Sequence, residues 1–147
     1  MNAVSDKIRK AVQSAKPKLL MIASDKVSVK AAPASWSKKE ILGHLIDSAS
    51  FNHQRFVRAA QNLAKEFPLY DQNKYVEVQR YNESDWISLV ELFYQYNMHI
   101  AYVIECLKED VMDNLCSTGK GVPAALSSVI EDYLWHLNHH LDKILEQ

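Results

Sequence analysis

Near the C-terminus, the stretch WHLNHHLDKI from Trp135 to Ile144 puts three histidines within five residues. His136 and His140 are four residues apart. At about 100° per residue, they lie roughly 40° apart on one face of a helix. Imidazoles at i and i+4 lean the same way along the axis and can share one ion. His139 falls on the other side, near Asp132 and Lys143, where solvent is expected. An HxxxH pair alone is ordinarily polar helix surface. A third ligand at the right depth decides between the two readings.

His44 is that candidate. It lies at the margin of an apolar stripe, one turn from Ile41 and Ser48. It stands 7 residues past Ser37, a capping position, and His140 stands 6 residues before Glu146. If the two helices run antiparallel with aligned ends, a rise of about 1.5 Å per residue puts both histidines at one level. His53 points to the opposite border of its helix, and His99 lies off the apolar stripe without a partner at i+4. Both are expected to be structural or exposed.

Other polar residues fall where chemistry could use them. Asn97 sits in the middle of the Phe93/Ile100/Ile104 stripe. A buried amide must find partners, so it either makes a core hydrogen bond or lines a pocket. Ser48 is a second candidate for pocket lining. Asp47 could orient an imidazole as an acceptor, but its direction on the helix reads as a surface charge.

These residues need long helices to hold them. The chain has 147 residues, enough for one domain with a sizeable core, and 1–147 reads as a single unit. It is 48% hydrophobic and 24% charged with only 3 Gly and 4 Pro, which favours helices over a many-turned β architecture. A first helix is expected from about Asn2 to Ser24, broken or kinked near Lys16 by Pro17. A second starts at WSKKEI, where Ser37 and Glu40 form a capping box flanked by Trp36 and Ile41 as a staple. Its stripe runs Ile41, Leu42, Leu45, Ala49, Phe56, Ala60 and Leu63, ending near Lys65. A long connection follows, with an extended piece at YVEVQRY. Connections of that length cross a fold or carry function. A third helix starts near Ser84. A fourth starts at Pro123, a favoured first helical residue, and runs to Glu146. The result is an all-α, four-helix bundle in up-down-down-up order, with the crossover between helices two and three.

Composition excludes several partners. A net charge of −1 offers no basic field for nucleic acid or anionic lipid. No apolar run approaches the roughly 18 residues of a membrane span. The N-terminal segment lacks the apolar core of a signal peptide. Cys106 and Cys116 have no metal-binding or redox spacing and read as free thiols, as in the cytoplasm.

The segments SWSKKEILGHLIDSASFNHQRF and YLWHLNHHLDKI together resemble the DinB-like superfamily, and most nearly its branch of bacillithiol transferases. The matching patterns are WS-x-x-E-x-x-x-H-L-x-D-S and W-H-x-x-H-H, present here in order and spacing. The resemblance implies the same four-helix bundle, a divalent metal on His44, His136 and His140, and a homodimer formed through helix faces. Arg55, in QRF, resembles a recurrent RF pair about three turns from His44, too far to touch the ion.

Three neutral imidazoles leave a coordination position open, which marks a catalytic rather than a structural site. The all-nitrogen set suits zinc or nickel and disfavours magnesium or calcium. Such an ion ionises a substrate thiol or lowers the pKa of water to roughly 7. The leading expectation is a transferase that adds a low-molecular-weight thiol of the bacillithiol type to an electrophilic small molecule. The alternatives are a hydrolase using metal-bound hydroxide, and a non-catalytic metal-binding bundle.

Overall fold

The computed structural model describes residues 2–119 and 121–146. Four long helices form the bundle: α1 (Asn2–Leu20), α2 (Lys38–Ala60), α4 (Trp86–Cys106) and α5 (Leu126–Leu145). A shorter α3 (Gln72–Gln79) sits in the crossover, and a two-stranded hairpin, β1 (Leu115–Cys116) with β2 (Ala124–Ala125), precedes α5.

Side-chain contacts fix the helix directions. Arg9 and Lys16 of α1 pair with Glu105 and Glu91 of α4, so these helices run antiparallel. Lys39, near the start of α2, donates to the carbonyl of Ser84 just before α4, so α2 and α4 run parallel. Lys38 donates to the carbonyl of Ile144 at the far end of α5, so α2 and α5 run antiparallel. The order is therefore up-down-down-up, and its parallel α2–α4 pair requires a connection the length of the bundle.

Apolar stripes of all four long helices form the core. Ile8, Val12 and Leu19 of α1 are buried, as are Leu42, Leu45 and Phe56 of α2. Trp86, Val90, Phe93, Ile100 and Ile104 of α4 join them, with Leu126, Ile130, Leu137, Leu141 and Ile144 of α5. The indole of Trp86 donates to the Leu19 carbonyl at 3.0 Å, which also accepts from Ile22 N at 3.2 Å, and so ties α4 to the end of α1.

Several boundaries differ from expectation. α1 continues through Pro17 and stops at Leu20 rather than Ser24. Proline removes one donor, but it stands only a turn from the helix end, where the loss is confined. α2 ends at Ala60 rather than Lys65, because Asn62 takes a left-handed conformation with φ 59°. Leu63 N and Asn62 N donate back to Arg58 O and Ala59 O, a Schellman closure. Leu63, expected inward, is consequently 61% exposed.

The segment YVEVQRY is helical rather than extended. Asp71 caps α3 by accepting from the amides of Asn73 and Lys74. α4 starts at Trp86, close to the expected Ser84, and is capped by Asp85, whose side chain accepts from Ser88 N. Pro123 lies before β2, and α5 begins three residues later. The first amides of α5 are satisfied by backbone: Leu126 N donates to Asn114 O and Ser127 N to Met112 O. The hairpin thus replaces a side-chain cap.

Candidate metal centre

α2 begins where its sequence marks it. Ser37 Oγ accepts from Glu40 N at 3.2 Å, and Glu40 Oε2 accepts from Ser37 N at 2.8 Å. The bond from Lys38 Nζ to the Ile144 carbonyl then sets the depth of α2 against α5. His44 and His140 arrive at one level, and His136 stands a turn further along.

The three rings converge. Their ligand atoms all lie within 4.8 Å of one another. Ring centroids are 5.0 Å apart for His44 and His136, 4.8 Å for His44 and His140, and 4.5 Å for His136 and His140. His44 Nε2 and His136 Nε2 are 3.1 Å apart. Two imidazoles on one tetrahedral ion, each at about 2.1 Å, stand about 3.4 Å apart, so the pair is close to bridging distance. His44 is 2% exposed, and Trp36 covers it with ring centroids 4.9 Å apart.

Electrostatics keep these rings neutral. Burial, then the charges of His136 and Lys143, hold His44 down to about 4. Burial, then His136 and His44, hold His140 down to about 3. His136 is lowered too, chiefly by burial, with Asp132 opposing. Unprotonated nitrogen is the form that binds a cation. Buried nitrogens His44 Nδ1 and His140 Nδ1 have no hydrogen-bond partner. Three neutral donors in reach of one point, with orphaned ring nitrogens, fit a borderline divalent ion.

Ser48 stands beside the cluster. Its Oγ lies 3.4 Å from His136 Nδ1 and accepts from Asn52 Nδ2 at 3.3 Å. A cavity of about 520 Å³ opens next to His140, lined also by Ala34, Ser35, Trp36, Ile41, Gln72, Asn73 and Lys143. Its far wall, Gln72 and Asn73, is the first turn of α3. Nothing in their sequence flagged them, since the crossover has no apolar period.

The crossover is pinned to α2 at Gly43. A Cβ there would fall 2.1 Å from the Tyr81 ring, so only glycine admits this contact. One turn on, Tyr81 Oη donates to Asp47 Oδ1 at 2.7 Å, and Gln79 Nε2 donates to the same atom at 2.8 Å. Asp47 is therefore not a surface charge: it is 6% exposed, and burial raises its pKa. It holds the crossover rather than an imidazole.

Asn97 is 0% exposed. Its Nδ2 donates to Phe93 O at 2.8 Å, and its Oδ1 accepts from Tyr133 Oη at 2.5 Å. Both ends of the amide are used in the core, so it does not line the pocket. His139 is exposed and stacks on Trp135. His53 and His99, expected to be structural or exposed, meet edge to face at 5.0 Å between α2 and α4.

No family model matches this sequence, and no curated protein matches it. The fold does match solved structures. YfiT from Bacillus subtilis, a probable metal-dependent hydrolase with an unusual four-helix bundle topology, superposes with a TM-score of 0.82 at 17% identity, covering 97% of this chain and 84% of that one. The mycothiol-dependent maleylpyruvate isomerase superposes at 0.80 and 10% identity, over 97% of this chain and 59% of its own. A single-residue variant of that isomerase gives the same values. The chain thus spans less than two thirds of the isomerase. Likeness at these identities establishes the four-helix bundle fold.

Proposed function

We propose that this chain is a DinB-like, metal-dependent enzyme that transfers a low-molecular-weight thiol to an electrophilic small molecule. The observation that carries this reading is the convergence of His44, His136 and His140 beside an open cavity. When bound, a zinc or nickel ion supplies Lewis acidity, which favours the thiolate over the thiol near neutral pH.

The chain's own residues do the rest. His44, His136 and His140, all uncharged, would hold the ion without cancelling its charge and so would favour an anionic sulfur at the site. Lys143, on the cavity wall, adds positive charge on the same side. The thiol proton leaves to solvent through the open mouth. Sulfur then bonds to the electrophilic carbon, and the leaving group departs with its electron pair. Trp36 shields His44 from water at the inner wall, and Ser48 steadies His136.

The mycothiol dependence of one structural neighbour supports the thiol reading. The chain's carboxylates support it as well. A hydrolase needs an acid or base beside its nucleophile, yet buried Asp47 is committed to Tyr81 and Gln79. The second reading, a hydrolase, has YfiT in its favour.

The test is to incubate metal-loaded protein with a panel of thiols and a chromogenic electrophile. A rate above that of free thiol, lost in His140→Ala, is expected. No acceleration by any thiol overturns the transferase, and ester or amide hydrolysis without thiol replaces it by the second reading. The homodimer implied by the family resemblance is checked by sedimentation of the same preparation.

A further inference from the structure

Arg55 is a half-buried cation without a counter-ion among the described residues. No carboxylate lies within ion-pair distance of it among the described residues. Its Nη1 donates to Asn52 Oδ1 at 2.8 Å, and its Nε is buried with no partner at all. Three acidic groups lie near it. Burial raises Cys116, so it stays a neutral thiol, and pushes Tyr70 up to about 12, so it stays a neutral phenol. Asp132 is exposed and beyond pairing distance. A desolvated charge left unpaired is costly, and a ligand carboxylate would supply the missing partner.

The place of Arg55 relates it to the three histidines. His44, Ser48, Phe51 and Arg55 share one face of α2, since offsets of four, seven and eleven residues return near the same angle. Arg55 holds Asn52, and Asn52 Nδ2 holds the Ser48 carbonyl at 2.9 Å. The guanidinium thus leans back towards the histidines and ends roughly two turns, about 10 Å, from them. The crossover walls this stretch with aromatics. Phe51 stacks on Tyr70 at 4.0 Å, and Arg55 lies 5.0 Å over the Phe67 ring.

We propose that Arg55 anchors a carboxylate of the substrate whose reactive end lies at the three histidines. The guanidinium as a whole is part-exposed, and its N–H groups match a carboxylate in a coplanar, charge-assisted pair. The ligand is a thiol carrying a carboxylate on a spacer that spans two helix turns past Phe51. For its reactive end, this proposal rests on the thiol reading above. The anchor is a specificity-determining residue and touches no reacting atom.

Two measurements test it. In metal-free protein, hexanoate but not hexanol is expected to shift the Arg55 Nε–H resonance. In cobalt-loaded protein, the sulfur-to-cobalt absorption band reports thiol binding without turnover. Mercaptohexanoate and mercaptooctanoate are compared with mercaptoalcohols of equal length. The carboxylates are expected to bind roughly tenfold more tightly, and Arg55→Gln is expected to erase that preference while leaving mercaptoalcohol binding intact. A resonance unmoved by hexanoate, or a preference that survives in Arg55→Gln, overturns the anchor. Thiols that bind cobalt with no carboxylate preference overturn it while sparing the thiol reading. A hexanoate shift with no cobalt band for any thiol supports the anchor and overturns the thiol reading.

Discussion

His44 Nε2 and His136 Nε2 face each other at 3.1 Å across the seam of two antiparallel helices. They are 92 residues apart in the chain, so an ion between them would tie segments that only the folded state brings together. Metal binding is then folding free energy. Native protein is expected to carry one divalent ion per chain by elemental analysis. Chelation should lower the melting temperature, and His140→Ala should lose the ion with a smaller change in chelated stability.

The same burial sets a pH dependence. In the unfolded chain these histidines titrate near the usual value of about 6.5. In the folded, metal-free protein His44 is held to about 4 and His140 to about 3. Below pH 6.5 the unfolded state therefore binds more protons, and stability falls as the pH drops towards these values. Urea midpoints in chelator at pH 7 and pH 5 should show this loss. In His44→Gln the loss should be smaller.

Ser48→Ala removes the hydroxyl beside His136 Nδ1. Losing an orienting partner of a metal-bound histidine typically costs about 10–100-fold in metal affinity. A competitive chelator titration should show a drop in that range, while the metal-free melting temperature barely moves. Unchanged affinity would leave Ser48 a bystander.

Tyr133→Phe should act the other way round. It strands Asn97 Oδ1 in the core, at a cost of about 1–3 kcal/mol. Denaturant unfolding should register that loss, and metal stoichiometry should stay at the wild-type value.

Gly43→Ala drives a methyl into the Tyr81 ring. Overpacking of this kind typically costs about 1–3 kcal/mol, here at the joint between α2 and the crossover. Faster amide exchange is expected through residues 72–83, with α5 protection unchanged. Uniform destabilisation of the whole chain would contradict the idea that this contact serves the crossover.

Periodicity made the bundle and the meeting of its three histidines legible. On α5, Leu126, Val129, Ile130, Tyr133, Leu137, Leu141 and Ile144 recur at helical spacing, and all are buried. The level of His44 against His140 could be counted from a cap and a helix end, because rise per residue is nearly constant. What escaped were features decided by partners distant in sequence. Asp47 looked solvent-facing on its own helix, but the crossover covers it through Tyr81. Asn97 could be a pocket or a core amide until Tyr133 was placed against it. α3 is short, and its period is too weak to outweigh the β-forming look of YVEV.

The connectivity itself shapes what this protein can become. Because α2 and α4 point the same way, the chain must return the length of the bundle between them, and that return strand supplies Gln72 and Asn73 at the mouth of the cavity. The mouth of that cavity is therefore shared: Ile41, His140 and Lys143 come from the rods, and Gln72 and Asn73 from the returning segment. Positions 72 and 73 can be rewritten without moving the three histidines, so the outline of the opening can drift while the cluster behind it stays fixed.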